Sequence, residues 1–198
     1  AKAVPKDIIE DLVKIGISAT SGTNSQQWTF TILPDRLAVL QLAQWVGSFF
    51  RKMNRTAENV CLRKTLQLLG KPELENYFQN HYESIRDGLE LWEKEGKDLL
   101  FHGATAAIVV GSKKEASCPA EDALLATQNI LLSAHVLGLG TCLIGFAIEA
   151  MKRDKRIPRG IGMPDDENAY AVIALGYPNE KYQRVTGRKR ALVRYFPQ

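Results

Sequence analysis

Long apolar runs, paired cysteines and the common catalytic signatures are all missing from this 198-residue chain. No apolar stretch approaches the roughly 18 residues that a membrane span needs, so no membrane partner is expected. The three cysteines, Cys61, Cys118 and Cys142, are odd in number and far apart. They offer neither a disulfide framework nor metal-ligand spacing, and the opening AKAVPKDII has no apolar signal region. A reducing cytoplasm is the simplest compartment to expect, with no metal site. There is no G-x-S-x-G elbow, Walker loop or H-E-x-x-H helix. The three histidines lie apart at 81, 102 and 135. His135, in an apolar helix, reads as a hydrogen-bonded core group rather than a catalyst. Asn54-Arg55-Thr56 is a glycosylation sequon, without meaning in a chain that is not secreted.

What is present is the composition of an ordinary globular protein, 45% apolar and 24% charged. A domain of this length buries roughly 70% of the surface its unfolded chain exposes. With no linker, repeat or low-complexity tract, residues 1–198 read as a single domain. The net charge of +4 raises the question of nucleic acid. Basic residues cluster only at Lys152 to Arg159 and Arg184 to Arg194, without interleaved aromatics or a recognition helix, so no nucleic acid is expected. A local anion fits better.

Hydrophobic periodicity places a helix from Pro5 to near Thr20, with Ile8, Ile9, Leu12, Ile15 and Ala19 on one face. A strand follows at Trp28 to Leu33 and a short helix at Leu37 to Val46. Longer helices are expected at Phe49 to Leu69 and Glu73 to Lys97, divided by Gly70 and Pro72. Ala106 to Val110 is a short strand. Pro119 to Leu137 is apolar around most of its circumference and should be a central, buried helix. Thr141 to Ile144 and Ala169 to Leu175 supply two more strands. This alternation of helices and strands gives a mixed α/β class. The segment GLGTCLIG is not a dinucleotide fingerprint, because its spacing is wrong and it leads into a strand rather than opening a helix.

Three features are left: TSGTNSQQ at 20–27, the glycine-ended turn GTCLIG, and RKR near the end. Each has a bland reading. Ser, Gly, Thr and Asn are turn formers, so the first can be a solvated loop; the last can be a solvated tail. Taken together, hydroxyl and amide groups can satisfy donors and acceptors on the rim of a planar ligand, while a basic cluster binds a phosphate. Flavin mononucleotide (FMN) has both halves.

Four segments, in order, carry a family likeness. SATSGTNSQQWTF resembles A-P-S-G-x-N-x-Q-P-W-x-F, with Thr20 and Gln27 at the two proline positions. FHGATAAIVV is similar to H-G-A-P-A-x-I-x-V. DALLATQNILLSAHVLGLGTCLIGF is similar to a central helix and turn reading A-x-Q-N-x-x-L-A-A-x-x-L-G-L-G-x-x-x-x-G. IPRGIGMPDDENAYAVIALGYP, with RKRALVRYF after it, matches an I-P-x-x-x-x-A-x-x-x-x-G-Y-P close and basic tail. Together they resemble the FMN-dependent nitroreductase family over most of residues 5 to 195.

The resemblance implies an α+β, three-layer fold with a mostly antiparallel central sheet flanked by helices, interlocked as a homodimer with FMN at the interface. The helix at 119–137 would then be buried on one side by its own subunit and on the other by the partner. Ser21, Gly22 and Asn24, with Gln26 beside them, would reach the flavin bound mainly by the other subunit. Leu143, Ile144 and Gly145 would lie along the ring near N5, the alternative for the first two being plain core packing. Arg188, Lys189 and Arg190 would hold the phosphate. Hydride would pass from NADH or NADPH through flavin N5 to a nitroaromatic, quinone or similar acceptor in a ping-pong mechanism, with no side chain required as acid or base. Dehalogenation and flavin destruction occur on the same fold. Trp45, Phe49, Phe50, Tyr77, Phe78, Tyr82 and Trp92 are available to stack on an acceptor or, more simply, to pack helices.

One departure stands out. The family's R-R-S-x-R motif, which supplies phosphate contacts ahead of the first helix, has no counterpart here. Either the sequence is a piece of a longer protein, in which a ferredoxin-like domain can also precede the fold, or those arginines are lacking. Two lost charge-assisted hydrogen bonds at roughly 1.5–3 kcal/mol each would weaken FMN binding by about two to four orders of magnitude. A flavin-binding or cofactor-free homodimeric module without turnover is therefore the rival reading.

Overall fold

The computed structural model describes residues 2–180, 183 and 187–196. Its centre is a four-stranded sheet in the order β1-β2-β4-β3, comprising β1 (Trp28–Leu33), β2 (Ala106–Lys113), β3 (Gly140–Leu143) and β4 (Glu167–Gly176). Every neighbouring pair is antiparallel, as the α+β expectation requires. The mixed class read from the alternation of helices and strands thus takes the form of helices packed on an antiparallel sheet.

Pleating divides the sheet residues between two cores. Ala106, Ile108, Val110, Ile173 and Leu175 pack with α1 (Lys6–Gly16) and α6 (Pro119–Val136). Ala107, Val109, Val172 and Ala174 face the other way, toward α2 (Arg36–Ala57), α7 (Gly145–Arg153) and α8 (Arg156–Gly160). Helices thus cover both faces, giving the three layers. Each fully buried Ile or Leu in these cores contributes roughly 1.5–3 kcal/mol. Gly16 brings α1 close to α6, for a Cβ there would sit 3.0 Å from Ile130 Cδ1. At Gly111 the β2–β4 register shifts, and a Cβ would meet the Asn168 carbonyl oxygen at 2.7 Å.

Several boundaries differ from the sequence expectation. The helices expected at 37–46 and 49–69 are instead one long α2, capped by Asp35 accepting from the Ala38 N–H, and a separate α3 (Val60–Leu68), capped by Asn59 accepting from the Leu62 N–H. Gly47 lies within α2 and is buried where Leu89 of the later helix packs against it. The expected helix at 73–97 divides at His81 into α4 (Glu73–Asn80) and α5 (Tyr82–Glu95), closed by Gly96 at φ +65°. Residues 145–160 form α7 and α8, which were not anticipated because the basic run at 152–159 masked their short apolar face.

His135 is exposed at the end of α6, correcting its reading as a core histidine. The α6 expectation of burial on all sides is met on one face only within this chain. Ala123, Ala126, Ile130 and Ala134 are buried, whereas Leu124, Leu125, Leu132 and Val136 are 51%, 47%, 58% and 83% exposed. Among the described residues, no helix is long and apolar enough to cross a membrane.

Candidate functional site

Residues 20–27 join α1 to β1 through a tight 3-10 turn at Gly22–Asn24. Three non-glycine residues here, Thr23, Asn24 and Gln26, take φ of 51°, 56° and 51°. Such left-handed backbone costs roughly 1–3 kcal/mol per residue and persists only where its surroundings enforce it. The enforcing group is Asp122 in the first turn of α6, itself only 2% exposed. Its Oδ1 accepts the Gly22 backbone N–H at 2.8 Å and its Oδ2 accepts the Ser25 hydroxyl at 3.2 Å. Ser117 Oγ donates to the Gly22 carbonyl at 2.8 Å. A Cβ on Gly22 would fall 2.8 Å from Cys118 Sγ, so the loop lies flat against the chain leading into α6.

Within the loop, Ser21 Oγ accepts the Gln26 N–H at 3.1 Å, and Asn24 Oδ1 accepts from Gln26 Nε2 at 2.7 Å. These bonds use Ser21 Oγ and Asn24 Oδ1 as acceptors, and the Asn24 amide NH₂ and the Ser21 hydroxyl proton are the donors these two side chains can offer a ligand. The four loop residues singled out by sequence are therefore one cluster. Asp122, Ser117 and Cys118 were missed. An acidic residue at a helix start is ordinary dipole chemistry, and nothing local ties it to a loop 100 residues away.

The second group sits at the end of β3. Leu143 is 51% exposed, Ile144 is 4% exposed and donates its N–H to the Val172 carbonyl at 2.9 Å. Ile144 is thus a core residue, in line with its bland reading, while Leu143 points outward. Gly145 opens α7, and a Cβ built on it meets no atom within 4 Å. These residues line a cavity of about 720 Å³ with His81, His102, Cys142, Phe146 and Tyr170. His102 holds φ 53°, the remaining left-handed non-glycine among the described residues.

A second cavity of about 820 Å³ adjoins it between α2, α4 and α7, walled by Phe49, Phe50, Met53, Leu74, Tyr77 and Phe146. Of the aromatics available for stacking, Phe49, Phe50 and Tyr77 reach this cavity. Trp92 lines a smaller one, whereas Phe78 lies under the Arg63 guanidinium, Tyr82 donates to Glu58, and Trp45 packs over Gly160. The Tyr77 hydroxyl donates to the buried Asn54 Oδ1 at 2.5 Å. Burial, with a smaller contribution from Tyr82, pushes that phenol well above its ordinary value, so it stays protonated.

The third group, Arg188, Lys189 and Arg190, lies in an exposed segment without regular structure. The first two groups are apart: the loop precedes edge strand β1 on the α6 side, while Gly145 follows edge strand β3 on the α7 side. Two strands lie between them, on the order of 14 Å of sheet.

Solved structures share this fold. A solved Bacteroides fragilis nitroreductase with bound FMN superposes with a TM-score of 0.64 at 17% identity, over 98% of this chain and 90% of that one. An iodotyrosine deiodinase solved with FMN and 3-iodo-L-tyrosine gives 0.61 at 19%, over 99% and 90%. In sequence, a protein of Archaeoglobus fulgidus provisionally named an NADH dehydrogenase/NAD(P)H nitroreductase is 32% identical over 110 residues, 51% of this chain. That match spans 62% of the relative, less than two thirds of its length. The Nitroreductase family model matches residues 1–177, from the start of the chain through the last strand, and the chain belongs to that family.

Proposed function

We propose that this protein is an FMN-dependent oxidoreductase that works as a homodimer. The observation that carries this reading is the open Gly145 turn, where the chain presents bare backbone at the head of α7 inside a cavity large enough for a ring system. A side chain at that position would occupy the space a planar heterocycle needs. Ser21, Asn24 and Gln26 supply amide and hydroxyl groups for the rim of the ring, and Arg188, Lys189 and Arg190 supply cations for the phosphate. The residues present fit FMN.

Because the loop and the Gly145 turn lie on opposite edges and opposite faces of one sheet, a single ligand can touch both only if they come from different chains. Two apolar features are exposed among the described residues and suit such a dimer. One is the open face of α6. The other is the tail, where Leu192, Val193, Tyr195 and Phe196 are 88%, 69%, 91% and 94% exposed. Covering apolar surface of this extent is what obligate interfaces do.

Bound FMN would supply the two-electron chemistry, taking hydride from NADH or NADPH at N5 and giving it to a quinone, nitroaromatic or halogenated aromatic acceptor. The chain's own part is to orient and to exclude water. Asp122 fixes the loop, Ile144 anchors the turn to β4, and the aromatic walls of the larger cavity receive a flat acceptor.

Anaerobic addition of NADH or NADPH to the FMN-saturated protein should bleach the flavin's visible band, and menadione should restore it. Saturation with FMN without bleaching by either nucleotide would defeat the reductase reading and leave the flavin-binding module. Failure to take up FMN at all would defeat both.

A further inference from the structure

We infer that Phe146 is the residue that sets the size of the acceptor, an inference that rests on the reductase reading above. Among the described residues it alone lines each of three cavities that meet at the head of α7. These are the one at the Gly145 turn, the larger one between α2, α4 and α7, and a small apolar one of about 160 Å³ between α2 and α5. It directly follows Gly145, so the helix that offers bare backbone to a ring places this aromatic at the ring's border.

Two edge-on contacts define its position. The Phe146 ring stands at 84° to that of Phe50, with centroids 5.5 Å apart, and at 85° to that of His81, with centroids 6.1 Å apart. Phe50 belongs to the rigid α2 and is 6% exposed, so it holds one edge of the Phe146 ring from within the core. Phe146 itself is 41% exposed. An aromatic fixed by two perpendicular ring contacts and still partly exposed is a wall for a flat molecule, and its volume limits what passes from one cavity to the next. His81, at the α4–α5 junction, is the opposite jamb, since it lines both larger cavities. Shortening Phe146 merges the three spaces, whereas enlarging it closes the passage between them.

The test compares menadione with its prenylated derivative, which carries the same redox ring and differs in bulk. Phe146→Ala should raise the kcat/KM ratio of the prenylated to the plain quinone by about tenfold, chiefly through KM, as expected for a change in pocket size. Phe146→Trp should lower that ratio, and Phe146→Leu should fall between Ala and the wild type. FMN uptake by all three variants reports that they fold, and because both quinones reoxidise the same reduced flavin, any change in its reduction by NADH or NADPH cancels from the ratio. An unchanged ratio in the Ala and Trp variants, with FMN bound and menadione still reduced, would overturn the assignment. Absence of bleaching in FMN-saturated wild type would remove the parent reading, and this inference with it.

Discussion

The backbone N–H of Gly22 donates to Asp122 Oδ1 at 2.8 Å across 100 residues of sequence. With Ser25 bound to the other oxygen, this one buried carboxylate holds a loop that its own conformational preferences would not hold. Replacing Asp122 by Ala removes the acceptor for a part-buried N–H, costing about 1–3 kcal/mol. Released from Asp122, Thr23, Asn24 and Gln26 should relax toward ordinary backbone and misplace the rim donors. We therefore expect Asp122→Ala to weaken FMN binding by about tenfold to a hundredfold, measured by quenching of flavin fluorescence. Gly22→Ala should do the same by displacing the loop from Cys118. Native affinity in both variants would show that the loop takes no part in flavin binding.

The open face of α6 makes a second prediction. Leu132 and Val136 are one turn apart and 58% and 83% exposed, so a carboxylate at either should be harmless in a monomer. In a dimer packed on this face the buried charge would be uncompensated. Leu132→Glu with Val136→Glu should weaken self-association by about two orders of magnitude or more, seen by sedimentation velocity, and FMN should be lost along with the dimer. A wild type that sediments as a monomer would contradict the two-chain site directly.

The strands and the polar loop were legible in the sequence, because period-2 alternation at Trp28–Leu33 and the glycine-bounded apolar strands are local signals, whereas the antiparallel order and the layers were implied only by the family resemblance. What escaped was long-range. The break expected between 46 and 49 does not occur, and α2 runs on through Gly47. His135 looks buried because its helix is apolar, but that face has no partner within the chain. Asp122 and Phe146 announce nothing, since each acquires its role from a residue far off in sequence, Gly22 in one case and Phe50 in the other.

The basic tail is testable through its salt dependence. Charge-assisted contacts to a phosphate are worth roughly 1.5–3 kcal/mol each, and screening weakens exposed ones as the Debye length falls from about 10 Å at 0.1 M salt to about 3 Å at 1 M. Arg188→Ala with Arg190→Ala should raise the FMN Kd by at least about tenfold at low salt, and by distinctly less at high salt. Riboflavin, which has no phosphate, should bind the variant and wild type alike. An equal loss at every ionic strength would mean that these arginines act through packing.

Acid should loosen the acceptor cavity before it loosens the sheet. Glu75 of α4, 4% exposed, accepts from Arg63 of α3 at 3.0 Å and from Gln79 at 3.1 Å. Burial by itself would raise the Glu75 carboxyl. The Gln79 hydrogen bond and the charges of Arg63 and Lys64 outweigh it and hold the group below its ordinary 4.5. A carboxylate depressed in the folded state stabilises the fold at every pH above its unfolded value, and that contribution is lost as pH falls through the folded value. Leu66, Glu73 and Leu74 of this same helical pair, with Lys71 between the two helices, line the larger cavity. Hydrogen exchange should therefore show α3 and α4 opening as pH drops below about 4.5, while β2 and β4 stay protected. Glu75→Gln should open the pair already at neutral pH and flatten its acid response, because the titrating group is gone. If wild type and Glu75→Gln lose protection in parallel with falling pH, some other carboxylate governs the acid response of this wall.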